Sequence, residues 1–89
     1  MLEQEVTICN KLGLHARAAA KFVATASEFE SEIEIEKAGK RVNGKSIMGV
    51  MMLAASNGSP VKLYVEGNDA EAAMDKLVNL ILSRFGEDE

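Results

Sequence analysis

Apolar residues recur along this chain with two different periods, and each period predicts a kind of element. Val6 and Ile8 alternate with Glu5, Thr7 and Cys9 as in a half-buried strand, until Asn10-Lys11-Leu12-Gly13 breaks the pattern. From Ala16 to Ser27, Ala19, Phe22, Val23 and Ala26 fall at i, i+3, i+4 and i+7 in an alanine-rich segment, which predicts a helix. Ile33 and Ile35 alternate with Glu32, Glu34 and Glu36. The Ala38-Gly39 pair between Lys37 and Lys40 then suits a hairpin into a short strand around Arg41-Val42. After an Asn43-Gly44 turn, Ser46 stands as an N-cap before Ile47, Val50, Met51 and Ala54, the stripe of a second helix ending at Asn57-Gly58. Val61, Leu63 and Val65 alternate with Lys62, Tyr64 and Glu66 as a fourth strand. Asn68 with Glu71 then resembles a capping box for a last helix, lined by Met74, Leu77, Val78, Ile81 and Phe85 and closed by Gly86.

The order βαββαβα, with one apolar face per element, implies an α+β, open-faced two-layer sandwich. Its four-stranded, mainly antiparallel sheet is covered on one face by three helices and solvated on the other. Eighty-nine residues suffice for a single domain over 1–89 with one thin core. The longest nearly apolar run, Ile47 to Ala55, falls well short of the ~20 residues of a membrane helix, and MLEQEV lacks signal-peptide features. The expectation is a cytoplasmic monomer without membrane insertion. Cys9 is the only cysteine and His15 the only histidine, so neither an internal disulfide nor a soft-ligand metal set can be assembled, and no cofactor is expected.

A net charge of −4 gives no global support for binding a phosphate backbone, which argues against nucleic acid as a partner. The distribution is more informative. From Val6 to Ser27 there is no acid but there are Lys11, Arg17 and Lys21. From Lys37 to Val65 there is again none, with Lys37, Lys40, Arg41, Lys45 and Lys62. The two stretches are expected to converge around His15 and Ser46 as a face for an anionic partner, the alternative being lysines scattered over solvated loops.

His15 falls between the Gly13 turn and the first turn of the alanine-rich helix. The first N–H groups of a helix are unpaired and carry partial positive charge, so the backbone of Ala16 and Arg17 offers an anion site. A neutral imidazole is a nucleophile near neutral pH, and the planar donors of Arg17 suit phosphate oxygens. Nucleophile, anion site and counter-charge thus lie within three residues, although a His beside a Gly turn also serves as an ordinary cap. No triad and no glycine-rich phosphate loop competes. Met48 and Met52 lie off the apolar stripe of the second helix, where flexible thioethers suit a docking patch, whereas Met51 and Met74 fit the core better.

Gly13-Leu14-His15-Ala16-Arg17 opening one helix and Gly44-Lys45-Ser46-Ile47-Met48-Gly49 opening a second strongly resemble the HPr family, the histidine-containing phosphocarriers of the bacterial phosphoenolpyruvate-dependent phosphotransferase system. The resemblance spans almost the whole chain. It implies that His15 accepts a phosphoryl group on Nδ1 from phospho-enzyme I and passes it to enzyme IIA domains, that Arg17 steadies the phosphohistidine, and that Ser46 is modified by an ATP-dependent HPr kinase/phosphorylase in bacteria that have one. Lys21, Lys45, Ile47, Met48, Met51 and Met52 are then the partner-docking residues. Ala18 stands where the family usually has Pro, which a first helical turn favours but does not require. The acidic tail and the Asn10–Gly13 approach resemble the nitrogen-related branch, the Gly44–Ile47 segment the sugar or kinase-regulated branch, so both remain open. The alternative to a carrier is a non-catalytic module that holds an anion reversibly.

Overall fold

Four strands and three helices form in the expected order in the computed structural model, which describes residues 1–89: β1 (Leu2–Thr7), α1 (Ala16–Ala26), β2 (Glu32–Lys37), β3 (Lys40–Asn43), α2 (Ile47–Met52), β4 (Pro60–Glu66) and α3 (Ala70–Leu82), then a 3₁₀ turn, Arg84–Gly86. The sheet order is β1-β4-β2-β3 and every pairing is antiparallel, with Leu2 opposite Val65, Ile33 opposite Val65 and Ile35 opposite Val42. The inward face of the sheet supplies Val6, Ile33, Ile35, Val61, Leu63 and Val65. These pack with Ala18, Ala19, Phe22 and Ala26 of α1, Val50 of α2, Leu77 and Ile81 of α3, and Phe85. The outward face is held by polar pairs. Lys62 Nζ lies 3.0 Å from Glu3, the Arg41 guanidinium 2.8 Å from Glu34 and 3.6 Å above the Tyr64 ring, and Tyr64 donates its hydroxyl to Glu36 at 2.6 Å. Arg41 and Lys62 therefore serve the solvated side of the sheet and do not join a cationic face with His15.

Several elements differ from their sequence patterns, each for a visible reason. β1 starts earlier, at Leu2, because the exposed run Glu3-Gln4-Glu5 hides the alternation even though Gln4 pairs with Leu63, and it stops before Ile8. Ile8 is nonetheless fully buried, held by its N–H on Ser59 O and its carbonyl on Gly58 N. α2 ends at Met52, since Leu53 turns inward as the C-cap and Ala54 adopts a left-handed φ of 52°. Of the predicted stripe only Val50 is buried within the helix. Met51, assigned above to the core, is 39% exposed, while Met74 is buried as expected. The carbonyls freed at the end of α2 are taken by cations: Lys37 donates to Leu53 O and Ala54 O, and Lys40 to Met52 O, as the negative end of a helix favours.

The start of α3 is not the Asn68–Glu71 capping box. Asp69 holds the N-cap position without capping, because its carboxylate accepts the N–H of Glu30 at 2.9 Å and both the N–H and the hydroxyl of buried Ser31. These bonds, Ser31's hydroxyl foremost, hold the Asp69 carboxyl below its ordinary value. A carboxylate with a depressed native pKa stabilises the fold above the unfolded pKa and loses that contribution as pH falls through the native one. Asp69→Ala should therefore lower the melting temperature at pH 7, and the gap to wild type should close as the pH is taken below about 3.9, the ordinary aspartate value. Thermal melts of both proteins from neutral pH down to strongly acidic buffer measure this.

At the far end of α3 three successive residues, Arg84, Phe85 and Gly86, take positive φ angles of 59°, 56° and 75°. Such a run is costly for a bulky residue and persists only where packing over-determines it. Here Phe85 is fully buried, and Lys21 of α1 donates to its carbonyl at 2.6 Å. Phe85 thus reaches the core from the turn and not from the stripe of α3, and the reversal sends residues 87–89 back across the first turn of α1.

Candidate functional site

Gly13 makes the first turn of α1 possible. Its φ is +66°, and a Cβ there would run into the backbone of Ala55 and Ser56. With no side chain in the way, Leu14 N–H bonds Ala55 O at 2.8 Å and ties the entry of α1 to the exit of α2. His15 follows as the N-cap, extended at φ −73° and ψ 178°, but its side chain makes no cap bond. The first helical bond runs from Ala19 N–H to His15 O, so the N–H groups of Ala16, Arg17 and Ala18 have no helical carbonyl to pair with.

The imidazole is instead engaged by the C-terminal tail. His15 Nε2 lies 2.5 Å from Glu87 Oε2, with the two side chains 28% and 13% exposed. Glu87 Oε1 accepts from Asn10 Nδ2 at 3.0 Å, and the same Asn10 nitrogen donates to Gly13 O at 2.8 Å. Asn10 is fully buried, and its Oδ1 has no partner. The Asn10 bond first, then the His15 bond, hold the Glu87 carboxyl below its ordinary value, with Lys21 a lesser contributor. Glu89 closes the tail down through Lys11, whose Nζ lies 3.1 Å from its carboxylate and whose N–H donates to its carbonyl. Lys11, Leu12, His15, Ala16, Arg17, Glu87 and Glu89 together line one surface depression.

Arg17 is exposed and forms no ion pair, so its donors are available to an anion arriving at His15. Lys21 belongs to the same end of the molecule, tied to Phe85 O. Ser46 caps α2 as predicted, its hydroxyl accepting Gly49 N–H at 3.0 Å. It is not beside His15, however. Lys45 Nζ donates to Phe29 O, past the C-terminal end of α1, whereas the exit of α2 meets Leu14, so His15 and Ser46 flank opposite ends of the short second helix. Between them Ile47, Met48, Met51 and Met52 form the exposed face of α2, at 44%, 71%, 39% and 60% exposure, and Leu12 adds a further 66% exposed apolar side chain at the His15 depression.

The expected convergence of two cationic stretches is thus not what assembles. Arg41 and Lys62 face the other side of the sheet, Lys37 and Lys40 close α2, and acids of the tail enter the His15 site. In the sequence Glu87 and Glu89 read only as part of a remote acidic tail. No local pattern signals a contact across 72 residues; only the burial of Phe85 and the left-handed turn bring it about.

The family profile described as "PTS HPr component phosphorylation site" matches residues 2–83 of this chain. Phosphocarrier protein HPr of Neisseria meningitidis is 55% identical over 89 residues, covering all of both chains, and phosphocarrier protein NPr of Shewanella violacea is 46% identical over 86 residues, 97% of this chain and 94% of that one. The crystal structure of HPr from Thermoanaerobacter tengcongensis superposes with a TM-score of 0.96 at 56% identity over the full length of both.

Proposed function

This chain belongs to the HPr family, the phosphocarriers of the phosphotransferase system, and from its site we propose that His15 is the residue that carries the phosphoryl group. The carrying observation is an imidazole placed at a helix N-cap that it does not cap, beside unpaired N–H groups and an unpaired arginine. In the proposed transfer the lone pair of His15 Nδ1 attacks the phosphorus held on a histidine of enzyme I. The new N–P bond forms as the old one breaks, and the donor imidazole leaves with its electron pair. The transferred group then meets the Ala16 and Arg17 N–H groups and the Arg17 guanidinium, which offset its charge. The reverse sequence of events delivers it to an enzyme IIA domain.

Acting as a monomer, the chain docks its partners with the exposed face of α2, Ile47, Met48, Met51 and Met52, together with Lys21 and Lys45. Thioethers and aliphatic groups on one surface can repack against more than one partner, as a protein serving both a donor and an acceptor requires. The higher identity to a relative named HPr than to one named NPr supports the sugar branch over the nitrogen-related one. Ser46, at the edge of the docking face, is the regulatory site.

The test is to mix the protein with phosphoenolpyruvate and purified enzyme I and follow its mass. One acid-labile phosphoryl group on His15 is expected. Reversible binding of inorganic phosphate with no adduct would replace the carrier by an anion-binding module. Arg17→Glu should slow phosphorylation by roughly 10- to 100-fold, the loss expected from one charge-assisted contact of about 1.5–3 kcal/mol. Its melting temperature should stay level or rise slightly, because Arg17 has no bond to lose and an acid in the first turn of a helix is favourable. Stopped-flow transfer from phospho-enzyme I and a thermal melt measure the two effects.

A further inference from the structure

Phosphoryl transfer to Nδ1 requires the ring proton to be on Nε2, and nothing in the first turn of α1 places it there. We propose that Glu87 is a positioning residue that fixes His15 as the Nε2–H tautomer and so leaves the Nδ1 lone pair free for the phosphoryl group, a role that rests on the carrier reading above. The geometry is a chain of donors with a single consistent order. Gly13 O can only accept, so Asn10 must turn its Nδ2 toward it, and the second hydrogen of that nitrogen points at Glu87 Oε1. The carboxylate is ionised, held so by the Asn10 and His15 bonds, and is acceptor-only. The ring nitrogen facing it at 2.5 Å must therefore carry hydrogen. Asn10 is buried, so this order is set from inside the fold and not by solvent.

The same contact has a second consequence. When Nδ1 takes the phosphoryl group, the imidazole, still protonated on Nε2, becomes cationic. The Glu87 carboxylate then faces a charged donor where it had faced a neutral one, and such a bond is stronger. The contact is thus firmer after transfer than before it, while the phosphoryl group lies on the far side of the ring.

Two substitutions separate this role from simple support of the tail. Glu87→Ala removes the partner and leaves the tautomer to solvent. Glu87→Gln inverts it: Asn10 still demands an acceptor, so the introduced amide turns its oxygen to Asn10 and its NH₂ to His15 Nε2. That orientation makes Nε2 the acceptor and moves the ring proton to Nδ1. Imidazole ¹⁵N shifts should show Nε2–H in wild type, a mixture in Glu87→Ala and a shift toward Nδ1–H in Glu87→Gln. Single-turnover phosphorylation by phospho-enzyme I should fall in the same order, with Glu87→Gln about tenfold below wild type, the effect of one misdirected hydrogen bond. Phosphoramidate, a small phosphoryl donor that needs no docking, should give the same ranking. The proposal is overturned if Glu87→Gln keeps the wild-type shifts and rates, or if Glu87→Ala is the slower of the two, as loss of a mere tether would make it. Failure of the wild-type chain to accept phosphoryl from enzyme I would strike the carrier reading instead, and the ¹⁵N shifts would still decide the tautomer.

Discussion

His15→Ala should fold as the wild type does and accept no phosphoryl group at all. The chain has no second histidine to substitute for it, and the depression around the first turn of α1 holds no other imidazole able to carry a phosphoryl group. Stability should change little for a specific reason. Replacing an N-cap by alanine is costly when the side chain accepts a helix N–H, and here His15 accepts none. Its backbone carbonyl still receives Ala19 N–H, and Glu87 keeps Asn10. The melting temperature should stay within a few degrees of wild type, while the mass after incubation with phosphoenolpyruvate and enzyme I stays that of the free chain. A phosphorylated His15→Ala protein would move the acceptor elsewhere; an unfolded one would make lost structure the cause, and circular dichroism decides between them.

Most of the fold was legible because its elements carry their own period. Ile33, Ile35, Val61, Leu63 and Val65 each alternate with polar neighbours, and all five are buried in the sheet's inner face. Phe22 and Ala19 on α1, and Leu77 and Ile81 on α3, mark their helix faces equally well. The misread positions are those where tertiary contacts override local pattern. Gln4 is exposed on the edge strand although it pairs with Leu63, Met51 faces solvent on a helix too short to bury two faces, and Asp69 gives its carboxylate to residues 38 and 39 positions away and not to its own helix.

The site divides along the same line. His15, Ala16, Arg17 and Ser46 are recognisable because helix starts have local chemistry, and the structure places them at the N-terminal ends of α1 and α2. Asn10 and Glu87 are not. An asparagine before a glycine turn reads as a loop residue, and a glutamate close to the end of the chain reads as a solvated tail. Their meaning appears only when Phe85 is drawn into the core and the following residues are turned back across His15.

The position of Ser46 at the opposite end of α2 from His15 changes what a negative charge there should do. A phosphate adds about −1.5 to −2 charges, and Asp is its nearest encoded substitute. Ser46→Asp keeps an oxygen to accept Gly49 N–H and places charge at the positive end of α2, so the domain should be as stable as wild type or more so by up to about 1 kcal/mol. The charge lies at the other end of α2 from the phosphoryl group at His15, so its main effect is expected on docking. It does border the apolar face of Ile47, Met48, Met51 and Met52, where a docked partner would have to desolvate it, and an acidic partner would be repelled. The expected result is a KM for phosphorylation by enzyme I raised roughly tenfold, equivalent to about 1.4 kcal/mol of lost docking, with kcat nearly unchanged. Ser46→Asn, a neutral residue that caps equally well, should behave as wild type. A fall in kcat at constant KM would mean that the charge reaches the chemistry after all, and a melting temperature several degrees lower would make lost structure the cause.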